Sequence, residues 1–201
     1  MRDRENISGV LELQPDYMGF IFYPGSPRYV KDTLSEDEMR LISGKVKKVG
    51  VFVNAEIRDI RRIQNSCGLD ALQLHGDESP AFLQDLKETD VKLIKVFSIS
   101  EGFDFEILKD YVSLTDFFLF DTKTHLHGGS GIKFSWDILD SYNFDKPFFL
   151  SGGIKPSDLD NILSIHHPSL YGVDVNSGFE ISPGYKDLSK LQVFINKLRH
   201  I

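Results

Sequence analysis

Cysteine is all but missing: Cys67 is the only one among 201 residues, so no disulfide can close within the chain and no cysteine-rich zinc site can be built. A reducing compartment, the cytoplasm, is the expected setting. Long hydrophobic runs are missing as well. The longest apolar stretches, at 17–23 and 117–120, fall far short of the roughly 20 residues that cross a bilayer, so no membrane span is expected. The first residues, Met1-Arg2-Asp3-Arg4-Glu5-Asn6, are strongly charged where an export signal carries an apolar core. Positive charge is in short supply: 23 Lys and Arg against 30 Asp and Glu give a net charge of −7. No global field attracts nucleic acid or an anionic membrane, and an anionic ligand must be held by local groups.

What is present is the composition of an ordinary globular protein, 41% hydrophobic and 26% charged, with no low-complexity linker or compositional break. One domain spanning 1–201 is the expected organisation. Strand-like runs rich in aromatic and β-branched residues recur at 17–23, 49–53, 71–74, 93–97, 117–120, 147–150 and 170–175. Their apolarity is nearly continuous and does not alternate, which implies strands covered on both faces and hence a parallel sheet. Helical patterns lie between them. Ile57, Ile60 and Ile63 repeat after Asn54, and Leu188, Leu191, Phe194 or Ile195, and Leu198 form the stripe of a last helix. Ser35 with Glu38 reads as a capping box, and Lys155-Pro156 suits a first helical turn.

A βα repeat of this kind fits a doubly wound sheet or a barrel. Glycine-bearing loops follow most of the strands and are not confined to one crossover, which favours a TIM-type (β/α) barrel with its site at one end. The count is uneven. A helix near Asp3, carrying Ile7, Val10, Leu11 and Leu13, has no strand before it, so seven strands face about eight helices where a closed barrel needs eight strands.

Four loops carry the chemical signal. In 22–30, Pro24 and Pro27 stiffen a loop from which Arg28 can present a planar fork of donors to a carboxylate or phosphate; the plainer reading is a surface arginine in a turn. In 73–78, Gln73 and His75 end a strand, His75 as an acid/base, a polar pocket wall, or a hydrogen-bonded structural group. In the third, Asp121 follows four apolar residues, with Lys123 and the glycines Gly128, Gly129 and Gly131 beyond it. Burial disfavours an ionised carboxylate, which suits a general acid near neutral pH. A helix-capping role for Asp121 is the alternative, but the next clear helical pattern starts only around Ser135. The fourth signal is a pair of loops, Ser151-Gly152-Gly153 and Asn176-Ser177-Gly178, after the last two strands. Barrels commonly bind phosphate on backbone N–H groups in these two loops; tight turns would explain one glycine in each but not the clustering.

The strings MRDRENI, DYMGFIFYPGSPRYV, LDALQLHGDES, FLFDTKT with GGSGIKFSW, FLSGGIKPSDL and GVDVNSGFE, in that order, resemble the phosphoribosylanthranilate isomerase family from near Met1 to the last helix. The resemblance implies a (β/α)8 barrel and an Amadori rearrangement in tryptophan biosynthesis: N-(5-phosphoribosyl)anthranilate becomes 1-(2-carboxyphenylamino)-1-deoxyribulose 5-phosphate. No metal or redox cofactor is implied. The family's acid aspartate falls on Asp121 and its anthranilate-binding arginine on Arg28, with Gln73, His75 and Gly129 lining the substrate. The phosphate loops fall on Gly152, Gly153, Asn176, Ser177 and Gly178, with Asn176 where serine is frequent. Related barrels isomerise histidine-pathway sugars, but those pair two aspartates and lack the SPRYV loop. The family pattern also opens with a strand ending in Lys-x-Cys-Gly directly before the equivalent of Met1, and that cysteine is the general base. Cys67 does not match it, and packing is its expected role. The expectation is therefore that Met1 is an internal methionine of a longer natural chain. A genuinely short form would be unstable and impaired, or an inactive phosphosugar-binding barrel, since losing a proton-transfer group costs about 10²–10⁴-fold in rate. A monomer or homodimer is expected.

Overall fold

The computed structural model describes residues 1–30, 33–42, 46–87, 91–122 and 136–199. Its elements follow the expected alternation: α1 (Arg4–Glu12), β1 (Tyr17–Ile21), α2 (Glu36–Leu41), β2 (Lys47–Phe52), α3 (Ile57–Cys67), β3 (Ala71–Leu74), α4 (Pro80–Leu86) and β4 (Lys92–Ile99). A 3₁₀ turn (Phe105–Leu108) runs into α5 (Lys109–Val112), then come β5 (Phe117–Thr122), a 3₁₀ helix (Trp136–Ser141) and β6 (Phe148–Ser151). A second turn (Pro156–Asp158) runs into α6 (Leu159–Leu163), followed by β7 (Leu170–Val173), a third turn (Ser177–Phe179), the hairpin β8 (Glu180–Ser182) and β9 (Tyr185–Lys186), and α7 (Leu188–Arg199).

The seven main strands form one parallel sheet in chain order, β1 to β7. The strands between the edges, β2 to β6, are largely covered on both faces, which is why their sequences read as nearly unbroken apolarity, whereas the edge strands β1 and β7 are more open. One face closes on an inner cluster of Val49, Ala71, Ile94, Val96, Leu119 and Phe149, edged by Tyr17 and Phe117. The other lies under the helices, where Phe20, Phe52, Leu72, Leu74, Phe118, Phe120, Phe148 and Leu150 meet Ile60, Ile63, Leu83 and Leu159. The helices start where sequence signals place them. Asp3 accepts from the Asn6 N–H at 2.9 Å, and Ser35 and Glu38 form a reciprocal capping box. Gly68, at φ 63°, takes the left-handed conformation that ends α3.

The sheet curls far enough for its two edges to meet through side chains. Tyr17 on β1 packs edge-on against Phe149 of β6, ring centroids 5.4 Å apart, and hydrogen-bonds to Tyr171 of β7. Among the described residues no strand pairs with the free edges of β1 and β7. Helix α1 and the hairpin occupy this side instead. The Asn6 side chain donates to Lys186 O at 2.8 Å and accepts from Lys186 N at 2.7 Å, and the Met1 nitrogen lies 2.6 Å from Gly19 O. Cys67 is wholly buried at the end of α3, where its carbonyl accepts from Lys48 Nζ at 3.0 Å. It stands before β3 begins, at the end of the sheet opposite the loops discussed next.

Candidate active site

Alternation along parallel strands carries every second side chain inward, and at the carboxyl ends of the strands these inward residues become polar. On β3 the inner row runs Ala71, Gln73 and then His75 just past the strand; on β5 it runs Phe117, Leu119, Asp121; on β6, Phe149 and Ser151. Strand register sets Asp121 beside Ser98 on one side and Ser151 on the other. The result is a polar rim over an apolar interior.

His75 Nε2 lies 3.5 Å from Asp121 Oδ2. The Gln73 amide nitrogen lies 3.4 Å from His75 Nδ1. A Gln73 amide NH₂ that donates to Nδ1 leaves the ring proton of a neutral His75 on Nε2, facing Asp121. Gly152 sits against Asp121 and the Thr122 peptide: a Cβ added there would come within 2.8 Å of Asp121 Oδ1 and closer still to Thr122 N. With φ of 101° at Gly152 and 63° at Gly153, this turn needs glycine both for its conformation and for that approach. Thr122 Oγ1 pins it by donating to Ser151 O at 2.9 Å.

The loop after β7 packs directly on the loop after β6, since a Cβ on Gly178 would collide with Ile154 O. Ser177 and Gly178 open the short turn Ser177–Phe179. Asn176 turns its side-chain oxygen to Lys186 Nζ at 2.6 Å. Arg28 reaches this side of the rim by gripping Glu180, with Nε 3.0 Å from both carboxylate oxygens and Nη2 2.5 Å from Oε2. Lys186 Nζ joins the same carboxylate at 3.1 Å.

Four residues to which the sequence assigned no role of their own complete the arrangement: Ser151, Asp174, Glu180 and Lys186. Ser151 Oγ donates to Asp174 Oδ2 at 3.1 Å. Asp174 keeps some surface toward the mouth, yet dense packing pushes its carboxyl above the usual range, opposed chiefly by the charge of Lys186. Burial also pushes the Glu180 carboxyl up, but the Arg28 hydrogen bonds and the Lys186 charge outweigh it and bring it down to about 2. Burial lowers Lys186, held up in part by Glu180. Ser151 and Asp174 each follow a strand's apolar run, the same signal that marked Asp121. Glu180 and Lys186 lie in a hairpin whose local pattern says nothing about ligands.

Of the residues expected at the site, Asp121, Gln73, His75, Gly152, Gly153, Asn176, Ser177, Gly178 and Arg28 all lie on this rim. Arg28 and Lys186 share Glu180, the charge of Lys186 acts on Asp174, Ser151 donates to Asp174, and strand register sets Ser151 beside Asp121, which faces His75. Gly129, with Lys123 and the other glycines of 128–131, lies outside the described residues. Among the described residues no group of His, Cys, Asp and Glu is arranged to hold a metal, and no helix is long and apolar enough to cross a membrane.

Fold and rim together define a TIM-type (β/α) barrel whose polar groups gather at the carboxyl ends of its strands, where barrel enzymes carry their chemistry. The family model described as N-(5'phosphoribosyl)anthranilate (PRA) isomerase matches residues 1–197. The chain belongs to this family. It is 44% identical to the N-(5'-phosphoribosyl)anthranilate isomerase of Parabacteroides distasonis over 100% of this chain and 91% of that protein. Phosphoribosyl anthranilate isomerase from Thermotoga maritima superposes with a TM-score of 0.84 at 33% identity, covering 100% of this chain and 96% of that one. A phosphoribosyl anthranilate isomerase in complex with reduced 1-(o-carboxyphenylamino)-1-deoxyribulose 5-phosphate superposes with a TM-score of 0.81 at 29% identity, with the same coverage.

Proposed function

We propose that this chain catalyses the Amadori rearrangement of N-(5-phosphoribosyl)anthranilate to 1-(2-carboxyphenylamino)-1-deoxyribulose 5-phosphate, a step of tryptophan biosynthesis. One observation carries the assignment of roles: a carboxylate, Asp121, lies between an imidazole at 3.5 Å and the glycine turn of the loop after β6. Asp121 is the acid that protonates the furanose ring oxygen, so that the ring opens to a Schiff base. A base then takes the C2 proton, and tautomerisation gives the product. Every step moves protons or rearranges bonds already in the substrate, so no cofactor is called for. His75, with Nε2–H toward Asp121, and Gln73 form the polar wall beside the acid. Gly152, Gly153, Ser177 and Gly178, with Asn176, cradle the phosphate on main-chain groups, and Gly129 is assigned to the lining of the substrate. Arg28 takes the anthranilate carboxylate with the guanidinium edge that Glu180 does not use.

The resemblance assigns the base to a cysteine ahead of the Met1 equivalent. Cys67, buried at the opposite end of the strands, does not take that part. The protein works as one domain, monomer or homodimer, in the cytoplasm, on a small phosphosugar and without nucleic acid. The test is turnover of N-(5-phosphoribosyl)anthranilate by the chain as given and by a chain preceded by a strand ending in Lys-x-Cys-Gly, with binding of the reduced product measured calorimetrically. Binding by both, and faster turnover by the extended chain, is the expected result. Binding without turnover in either form supports the inactive phosphosugar-binding alternative, and no binding by either removes the assignment.

A further inference from the structure

Outside the ring, between the sheet and its helices, Lys95 of β4 and Glu78 of the loop after β3 form an ion pair at 3.0 Å, their side chains only 3% and 2% exposed. Lys95 Nζ also stands 5.5 Å from the centroid of the Phe97 ring. Burying two charges costs several kcal/mol per ion, and apolar side chains of similar volume often serve stability as well or better. Stability alone is therefore a poor reason for this pair.

Its hydrogen bonds give a better one. Lys95 Nζ donates to Gly76 O at 2.7 Å, Val96 O at 3.2 Å and Leu74 O at 3.4 Å. The Glu78 carboxylate accepts from the Gly76 N–H, at 3.0 and 3.2 Å, and from the Asn54 N–H at 3.0 Å. The pair thus holds the carbonyl before His75 and both peptide groups of the residue after it. The His75 N–H is fixed separately by Phe52 O at 2.8 Å. Asn54, at φ 49°, closes the other side: its side chain accepts from the Asp77 N–H at 2.8 Å and occupies the space a Cβ on Gly76 would need. A backbone held this tightly leaves the His75 ring little freedom to swing. Its Nε2 stands 3.5 Å from Asp121 Oδ2, at the outer limit of a hydrogen bond, so a shift of a few tenths of an ångström makes or breaks that contact.

We propose that Lys95 and Glu78 are positioning residues for the rim. Without touching substrate, they set the main chain on both sides of His75 and so fix its ring against Asp121. The consequence for rate rests on the isomerase reading; the consequence for the ring does not.

The experiment uses the full chain, labelled with ¹⁵N-histidine, in three forms: parent, Glu78→Gln, and the double variant Lys95→Met with Glu78→Met. The His75 ring resonances are identified by their loss in His75→Asn. In the parent without substrate, the ring ¹⁵N shifts should report one dominant tautomer, with the proton on Nε2. In the double variant they should move toward the averaged values of a free histidine, with a smaller move in Glu78→Gln, which keeps an acceptor for the Gly76 N–H. Turnover should fall on the order of 10- to 100-fold in the double variant with KM within about twofold, the pattern of a misplaced group rather than a lost binding contact. A folded double variant with parental His75 shifts, or shifted resonances with unchanged kcat, overturns the proposal. Should the double variant not fold, the same readings on Glu78→Gln decide. No binding of the reduced product by the parent, with or without a preceding strand ending in Lys-x-Cys-Gly, overturns the isomerase reading, while the ring shifts still test the positioning.

Discussion

The two ends of the same ring of strands differ in kind. At the amino-terminal end the inward side chains are Tyr17, Phe117, Phe149 and Tyr171, an aromatic floor with ring centroids 4.8–5.4 Å apart. At the carboxyl end the same alternation delivers His75, Asp121 and Ser151, with Asp174 beside them. The backbone geometry is common to both; only the chemistry of every second residue changes. The floor can be apolar because nothing there has to open. Loops leave from the rim, and its polar groups are satisfied by one another across strands that are neighbours only in the folded state. Packing holds the ring shut at one end and frees the other for chemistry, the division expected of a barrel.

The sharpest way to break this division is Asp121→Asn. Turnover should fall by about 10²–10⁴-fold, as for loss of a proton-transfer group, with little change in melting temperature. Near-normal activity would take Asp121 out of its role. The floor should answer in the opposite sense. Phe149→Ala removes the ring that touches Tyr17, Phe117 and Tyr171, and a truncation of this kind costs about 3–5 kcal/mol, measured by denaturant unfolding. An unfolding free energy within 1 kcal/mol of the parent's, on the order of the smallest such effects, would mean the floor bears no load.

Glu180 tests whether the rim is also structural. Its carboxyl is lowered from 4.5 to about 2 in the folded protein, so its contribution is present above pH 4.5 and is lost as pH falls toward 2. The shift corresponds to about 3 kcal/mol, reasonable for a side chain only 4% exposed. Glu180→Gln should therefore flatten the acid limb of a stability-against-pH curve between pH 4.5 and 2. An acid limb identical to the parent's would assign acid lability elsewhere. The smallest effect is expected for Arg28→Ala. Loss of charged hydrogen bonds to the substrate, about 1.5–3 kcal/mol, should raise KM by roughly tenfold or more with a lesser change in kcat. A saturation curve matching the parent's would leave Arg28 a partner of Glu180 and nothing else.

Much of the ring was legible along the chain because parallel strands covered on both faces must be apolar throughout. The run at 71–74 is the observed β3 to the residue. Departures occur where pairing overrides composition. β4, expected at 93–97, extends over Lys92–Ile99 because Ser98 and Ile99 pair with Asp121 and Thr122. The run at 17–23 stops as a strand at Ile21, where the chain turns into the loop carrying Arg28. The hairpin of β8 and β9 was not foreseen, since segments of three and two residues carry no periodicity to read.

Taken alone, the sequence determines that apolar runs alternate with amphipathic helices, and that acids, amides and glycines follow the strands; these are local facts, set by which side chains water excludes and which turns glycine permits. Only the tertiary structure decides that Arg28 closes on a glutamate 152 residues away, that Lys186 reaches Asn176, and that a buried pair behind the sheet grips the peptides around His75. Hydrogen bonds and ion pairs between distant segments depend on distances of about 3 Å. No linear pattern encodes such distances until the strands have been set side by side.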